Sequence, residues 1–391
     1  MKIVDVCAFY APQGGGVRTY INRKLAIGAA MGHEIVVIAP GTDDSVEVRE
    51  GGGRIIYTAS PPLIFDRRYR YFDNPAAVHR ILDAEKPDFV EGSSPWRTST
   101  IVAEWNGSAP RALFMHADPL AIYAYRWFDR VHSRETIDRN FAMFWRHLRR
   151  LGQRYDSIIC ANPSFTGRLT EGGVANVETI PMGVDPGIFS PSLRDEAVRA
   201  ELLARCALPP EATLLLGVGR MMAEKRWPMI VDACLAASHH RSLGLVIVGD
   251  GRDRDKIVRH IGGNPHIHLL APIRDRALLA KVMASADALV HGSSSETYGL
   301  VVAEAAASGL PLIVPDEGGA AFLVSAETGE QYAAGDPVAL CDAINRLLDR
   351  DRSALSTAAA RAATDVMTID SHFETLFAHY TSISHGQKRA A

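Results

Sequence analysis

Ala288-Leu-Val-His-Gly-Ser-Ser-Ser-Glu-Thr-Tyr-Gly-Leu-Val-Val-Ala-Glu304 reads as a short apolar strand, a serine turn and the opening of a helix. Free amides of Tyr298, Gly299, Leu300 and Val301 at that helix start form a natural anion site, because unpaired N–H groups and the helix dipole both favour a phosphate. Glu304, further inside the helix, can accept bonds from ribose hydroxyls, and Glu296 on the turn can do the same for a sugar. The plainer alternative is a carboxylate complementing the dipole beside a solvated glutamate. A strand running into a helix is the repeating unit of parallel α/β sheets.

Outward from this stretch the same alternation covers the chain. Lys2 to Phe9, Glu34 to Ala39, Arg54 to Thr58, Asp88 to Glu91, Arg111 to Met115 and Ser157 to Ala161 read as strands, with helices over Val17 to Met31 and Ala76 to Glu85. The second set is Leu214 to Val218, Gly244 to Val248, Ile267 to Leu270, Ala288 to His291 and Leu312 to Val314, and Pro228 stands where it would start a helix. Between the sets, Val177 to Pro191 carries three prolines and little periodicity. At 391 residues the chain exceeds a single core, so the expected domains are 1–182 and 183–370, followed by a C-terminal helix and tail, 371–391, that can pack back on the first domain. No apolar run is long enough to span a membrane. The first ten residues read as a strand, not a leader, and the expected location is cytoplasmic. Five scattered cysteines without a C-x-x-C pair argue against a disulfide framework or a zinc ribbon. The net charge of −3 lends nucleic-acid binding no support.

Further motifs sit at strand ends. Gly219-Arg220 with Glu224-Lys225 delivers a tight turn and two cations suited to a diphosphate, the alternative being unpartnered surface charge. Gly249-Asp-Gly251 is a weak turn signal. Gly14-Gly15-Gly16 lies between the first strand and first helix, where bare backbone can approach a ligand. It is not G-x-G-x-x-G, and Ala39-Pro40-Gly41 ends the second strand without a carboxylate, so a redox dinucleotide is disfavoured. His116 closes the strand Arg111 to Met115 at the crevice rim. Asp253-Arg-Asp255 matches a metal-binding D-x-D superficially but opens a charged helix and reads as a solvated face.

In their order and spacing these residues resemble the family-4 retaining glycosyltransferases of the GT-B architecture. The resemblance runs from glycines 14–16 through Ile180-Pro-Met-Gly-Val-Asp185, Phe189 and Pro191, Gly219-Arg220 and Glu224-Lys225, to Glu296–Glu304 and Gly318-Gly319. It implies an α/β fold of two facing Rossmann-like, doubly wound domains with a donor cleft between them. It also implies Arg220 and Lys225 on the donor diphosphate, with the amides of Tyr298 to Val301 and the Gly15-Gly16 loop completing the cradle beside Gly219. Glu304 would hold the ribose, Glu296 the sugar hydroxyls, Pro272-Ile273 the base, and His116 the sugar near its 6-hydroxyl. Hexosyl transfer with retention, no cofactor beyond the nucleotide-sugar co-substrate and no metal are the implied chemistry. Arg226, where the family usually has glycine, and Met182, in place of a common asparagine, depart from the pattern.

The first domain is the implied acceptor side. From Arg126 to Arg154 there are eight arginines against three acids, interleaved with Trp127, Phe128, Phe141, Phe144 and Trp145. Phe65-Asp-Arg-Arg-Tyr-Arg-Tyr-Phe72 is a second cluster. Arg67, Arg68, Arg70, Trp127, Arg146, Arg149 and Arg150 are therefore candidates for an anionic membrane surface and a lipid or saccharide acceptor, with peripheral attachment to the inner face of the membrane. The competing reading makes the aromatics core and the arginines a solvated face. The functional alternatives are a GT-B enzyme making a small soluble glycoside, a sugar-nucleotide epimerase, and a non-catalytic sugar-nucleotide-binding or membrane-docking protein.

Overall fold

Several helices open on one two-residue device. Asn74-Pro75, Asn162-Pro163 and Asp336-Pro337 each place an Asx side chain on a first-turn amide and a proline whose missing N–H is not needed there. The computed structural model describes residues 1–11, 16–63, 66–125, 128 and 131–390, with the side chains of 66–68, 123 and 387–390 outside that description. Contacts divide the chain into unit 1, Met1–Pro181 with Ile369–Ala391, and unit 2, Met182–Thr368.

Unit 1 is built on β1 (Lys2–Cys7), β2 (Glu34–Gly41), β3 (Ser45–Val48), β4 (Arg54–Ala59), β5 (Pro62–Leu63), β6 (Asp66–Arg70), β7 (Phe89–Ser93), β8 (Arg111–Phe114), β9 (Ser157–Cys160) and β10 (Val177–Thr179). One sheet has the order β10-β9-β8-β7-β1-β2-β4-β3, parallel except for β3, and β5-β6 form a separate hairpin. β7 is buried along its whole length and β1 and β2 nearly so, as a sheet covered on both faces requires. The order reverses direction between β1 and β7, which is where a doubly wound sheet opens its crevice.

The helix Ile369–Ala390 belongs to this unit. It buries Phe373, Leu376, Phe377 and Tyr380 completely or nearly so, each worth about 1.5–3 kcal/mol on burial. Tyr380 stacks on Phe89 at 4.1 Å between ring centroids, and His372 Nδ1 lies 2.7 Å from the Pro181 carbonyl oxygen. Beneath it lies a fully buried ionic cluster. Lys24 Nζ donates to Asp5 Oδ2 at 2.8 Å and to Glu91 Oε2 at 2.5 Å, while Tyr380 donates its hydroxyl to Glu91. Burial and the neighbouring Asp5 push the Glu91 carboxyl up against the pull of Lys24.

Unit 2 continues with β11 (Thr213–Val218), β12 (Leu243–Val248), β13 (Ile267–Leu270), β14 (Ala288–Val290), β15 (Leu312–Pro315) and β16 (Gly329–Tyr332), in the all-parallel order β13-β12-β11-β14-β15-β16. Its crevice position falls between β11 and β14. Val177–Thr179 lies in a stretch that the sequence reads as irregular, and β3, β5, β6 and β16 were not anticipated either. All but β6 are short, and β3, β10 and β16 are edge strands paired on one side, so none needs the continuous apolar run that marks a buried strand. The helix Arg352–Ala362 stays with unit 2. All five cysteines are free thiols.

Candidate functional site

Unit 2 gathers its chemistry at the carboxyl ends of β11 and β14, on either side of the point where the strand order reverses. After β11 the chain passes Gly219 and Arg220 and enters a tight turn over Ala223–Lys225 before the helix Trp227–Ser238. Trp227 donates its indole N–H to the Arg220 carbonyl at 2.9 Å, fixing the turn. Arg220 is largely exposed and pairs loosely with Glu224 at 3.2 Å, which leaves its fork available to a phosphate. Arg226 takes the glycine position with φ of 51°, in the left-handed region.

After β14 the loop Gly292–Gly299 brings Glu296 onto Lys225, with a direct ion pair between Oε1 and Nζ. Burial alone would raise the Glu296 carboxyl. Lys225, His291 and Arg220 overcome that and hold it down at about 2, so it is a carboxylate at any working pH. His291, which sequence reading had only as the last residue of a strand, is 4% exposed and stands 3.8 Å from Glu296 through Nε2. Burial pushes its imidazole down to about 3, so it is neutral. Gly319 clamps this loop from outside. Its N–H donates to the Glu296 carbonyl at 2.7 Å, and an added Cβ would lie 2.5 Å from the Tyr298 nitrogen.

Gly299, at φ of 89°, turns the chain into the helix Leu300–Ala307 without any side-chain cap. The first-turn amides, Leu300 and Val301 among them, are thus not engaged by a capping side chain, and Tyr298 beside them is buried. Glu304, further along this helix, is nearly buried, its Oε1 accepting from Arg276 Nη1 at 2.8 Å. Ile273 is half-buried in the loop between β13 and the helix Arg276–Ser285. The structure therefore brings Gly219, Arg220, Lys225, Glu296, Tyr298, Gly299, Leu300, Val301 and Glu304 to one end of one sheet. Arg276 and His291 are additional members. Neither carried a signal in the sequence, since their partners lie distant in the chain or around a loop.

In unit 1, His116 follows β8, packs against Tyr20 and Phe114, and sits 3.4 Å from Ser93 Oγ through Nε2. Burial pushes its pKa down to about 4, leaving a neutral imidazole. Gly16 opens the helix Gly16–Ala30, whereas Gly15 lies outside the described residues. At the carboxyl ends of β2 and β4 a cavity of about 320 Å³ is lined by Tyr10, Pro40, Thr42, Asp43, Tyr57 and Arg70, among others. Two tyrosine faces, a carboxylate and a guanidinium suit a polyhydroxylated or phosphorylated ligand. The sequence singled out Arg70 but not this pocket.

The basic-aromatic segment divides between core and surface. Trp145 is core, and Phe141 and Phe144 pack against it, so these aromatics belong to the competing reading. Arg149 is half-buried, and its Nη1 donates to the Gly172 carbonyl at 2.8 Å, at the C-terminal end of the helix Pro163–Glu171. Arg146 and Arg150 are exposed on the helix Ala142–Gly152. The side chains of Arg67 and Arg68, and Trp127 altogether, lie outside the described residues. No helix among the described residues is long and apolar enough to cross a membrane, and none of them form a group of three or more metal-ligating side chains.

Residues 14–187 match the model described as Glycosyltransferase Family 4, and residues 212–350 that described as Glycosyl transferases group 1. A GDP-mannose-dependent alpha-mannosyltransferase of Mycolicibacterium smegmatis is 30% identical over 339 residues, 83% of this chain and 82% of its own. A GDP-mannose-dependent alpha-(1-6)-phosphatidylinositol dimannoside mannosyltransferase of Mycobacterium tuberculosis is 28% identical over 357 residues, 90% and 88% of the two chains. Among solved structures, sucrose-phosphate synthase from Thermosynechococcus elongatus superposes with a TM-score of 0.77 at 19% identity, covering 98% of this chain and 99% of that one. Anabaena Alr3699/HepE in complex with UDP and glucose gives 0.72 at 17%, covering 98% and 100%. At those identities the structural likeness speaks for the fold alone.

Proposed function

The chain belongs to the group 1, family-4 glycosyltransferases with the α/β GT-B fold, and we propose that it moves a hexosyl group from a nucleoside-diphosphate sugar to a glycolipid, lipid-linked or polysaccharide-precursor acceptor, with retention and without a metal. One observation carries the donor assignment. At the ends of β11 and β14, two cations, a locked carboxylate and an uncapped helix start converge. Arg220 and Lys225 take the diphosphate, aided by the first-turn amides of the helix Leu300–Ala307. Glu304 accepts the ribose hydroxyls, Glu296 those of the sugar, and Ile273 lies under the base.

As the bond from the anomeric carbon to the leaving phosphate oxygen breaks, negative charge grows on that oxygen, and the two cations stabilise it. The acceptor hydroxyl attacks from the same face and passes its proton to the departing phosphate. No protein carboxylate then needs to act as nucleophile, in keeping with a Glu296 held by Lys225. On unit 1, His116 serves as a neutral hydrogen-bond partner for a sugar hydroxyl, and the Tyr10, Tyr57 and Arg70 cavity receives the polar part of the acceptor. Arg146 and Arg150 face anionic headgroups at a membrane surface.

GDP-mannose is the donor to try first, because the relatives named above are GDP-mannose-dependent. The test is a panel of GDP- and UDP-sugars with EDTA present, read by thermal shift and nucleotide release. Stabilisation by one donor that Arg220→Ala and Glu304→Ala abolish is the expected result. A protein that responds to no donor refutes the diphosphate and ribose roles.

A further inference from the structure

Glu304 is held by a side chain from a distant stretch. Arg276 Nη1 donates to Glu304 Oε1 at 2.8 Å, and Nη2 of the same guanidinium donates to Asp185 Oδ2 at 3.2 Å. The guanidinium also lies over the Phe189 ring, 4.9 Å from its centroid. Asp185 and Phe189 come from the segment that begins unit 2, Arg276 from the first turn of the helix Arg276–Ser285, and Glu304 from the helix Leu300–Ala307. Only a planar fork can bridge two carboxylates and stack on a ring at once, so a lysine at 276 would not reproduce the arrangement.

A carboxylate has about four lone-pair sites, and one donor on Oε1 leaves most of that capacity unused. Fixing one oxygen restricts the rotation of the side chain and aims what remains. Resting on the ribose role proposed for Glu304, we propose that Arg276 is a positioning residue for the nucleotide, clamping Glu304 against Asp185 and Phe189 so that its carboxylate is preset for the ribose diol, and that this clamp sets the preference for ribonucleotides over 2′-deoxyribonucleotides. Charge works in the same direction. Burial and the nearby Asp185 push the Glu304 carboxyl up, and the Arg276 guanidinium opposes this without reversing it.

Isothermal titration of GDP, 2′-deoxy-GDP, UDP and 2′-deoxy-UDP into the full chain tests this. In the unsubstituted protein the ribonucleotide should bind at least about tenfold tighter than its deoxy analogue, as expected when a buried polar partner is left unpaired. Arg276→Gln should reduce that ratio to within about threefold while changing the deoxy affinity little, Glu304→Gln should do the same, and the double variant should be no worse than either alone. An Arg276→Gln protein that loses affinity equally for both sugars has lost only structure, which overturns the proposal. One that keeps full discrimination while Glu304→Gln loses it overturns the proposal and leaves the ribose role of Glu304 standing. If neither ribonucleotide binds the unsubstituted protein, the ribose role and the clamp fall together. Should Arg276→Gln melt before titration, Arg276→Lys decides: its ammonium keeps the charge but not the fork, and unchanged discrimination overturns the proposal.

Discussion

Replacing Lys24 with methionine removes one charge from the interior of unit 1 at nearly constant side-chain volume. Asp5, Lys24 and Glu91 are all 0% exposed, and the ammonium donates to both carboxylates. Without it two buried carboxyl groups face each other, with Ser93 and Tyr380 as their remaining donors among the described residues. Breaking a buried ion pair by removing one partner costs about 3–5 kcal/mol, because the remaining charge is left uncompensated. With a urea slope of roughly 2–3 kcal/mol per molar for a unit of this size, the unfolding midpoint should fall by more than about 1 M. Four of the five tryptophans lie in unit 1, so intrinsic fluorescence follows that unit.

The pH dependence has a definite sign. Lys24 keeps its own charge from pH 5 to 8, its folded value being raised, whereas its partner Glu91 is pushed up to about 7 and takes up a proton within that window. In the variant the Glu91 carboxyl, already pushed up by burial, loses the opposing pull of Lys24 and lies further above its unfolded value of about 4, and the native state holds the extra proton. Its stability therefore recovers as pH falls, and the gap to the unsubstituted protein is wider at pH 8 than at pH 5. Neutralising the whole cluster, with Lys24→Met, Asp5→Asn and Glu91→Gln together, should restore most of the loss. An unchanged midpoint at pH 8, or a gap that widens on acidification, would refute the reasoning.

Three further outcomes follow from unit 2. Lys225→Met should lower kcat with the true donor by about 10²–10³-fold, the range for removing one group that stabilises developing charge, and steady-state kinetics with a saturating acceptor checks it. Gly319→Ala drives a Cβ to 2.5 Å from the Tyr298 nitrogen; a loss of about 1–3 kcal/mol in stability together with weaker nucleotide binding is expected from denaturation and titration, whereas wild-type affinity would contradict the clamp on the Glu296 loop. His291 is neutral when folded, at about 3 against an unfolded value near 6.5, so the unfolded state binds the extra proton and the native protein loses stability relative to His291→Gln as pH falls from about 6.5 towards 3. Urea midpoints of both proteins at pH 7 and pH 4.5 measure that difference.

The alternation of buried strands and crossover helices was readable because a strand covered on both faces must be apolar throughout, as Leu214 to Val218 and Gly244 to Val248 are. The same logic hides an edge strand such as Gly329–Tyr332, whose sequence Gly-Glu-Gln-Tyr needs only one neighbour. Site residues tied to backbone devices were equally readable. Glu296 and Glu304 flank one turn and helix start, and Arg220 and Lys225 share one loop, so their proximity is a matter of local geometry.

By itself, then, the chain's sequence determined the two sets of α/β units, the phosphate-suited helix start and the identities of the ionic groups around it, all of which depend on neighbours within about ten residues. Only the tertiary structure decided which charges are spent on each other. Arg149 caps a helix, Lys24 neutralises two buried acids, Arg276 holds Glu304 from 28 residues away, and the final helix, Ile369–Ala390, closes over unit 1. These pairings join segments distant in the chain, and loop closure over such distances is set by packing of the whole, for which local pattern holds no record.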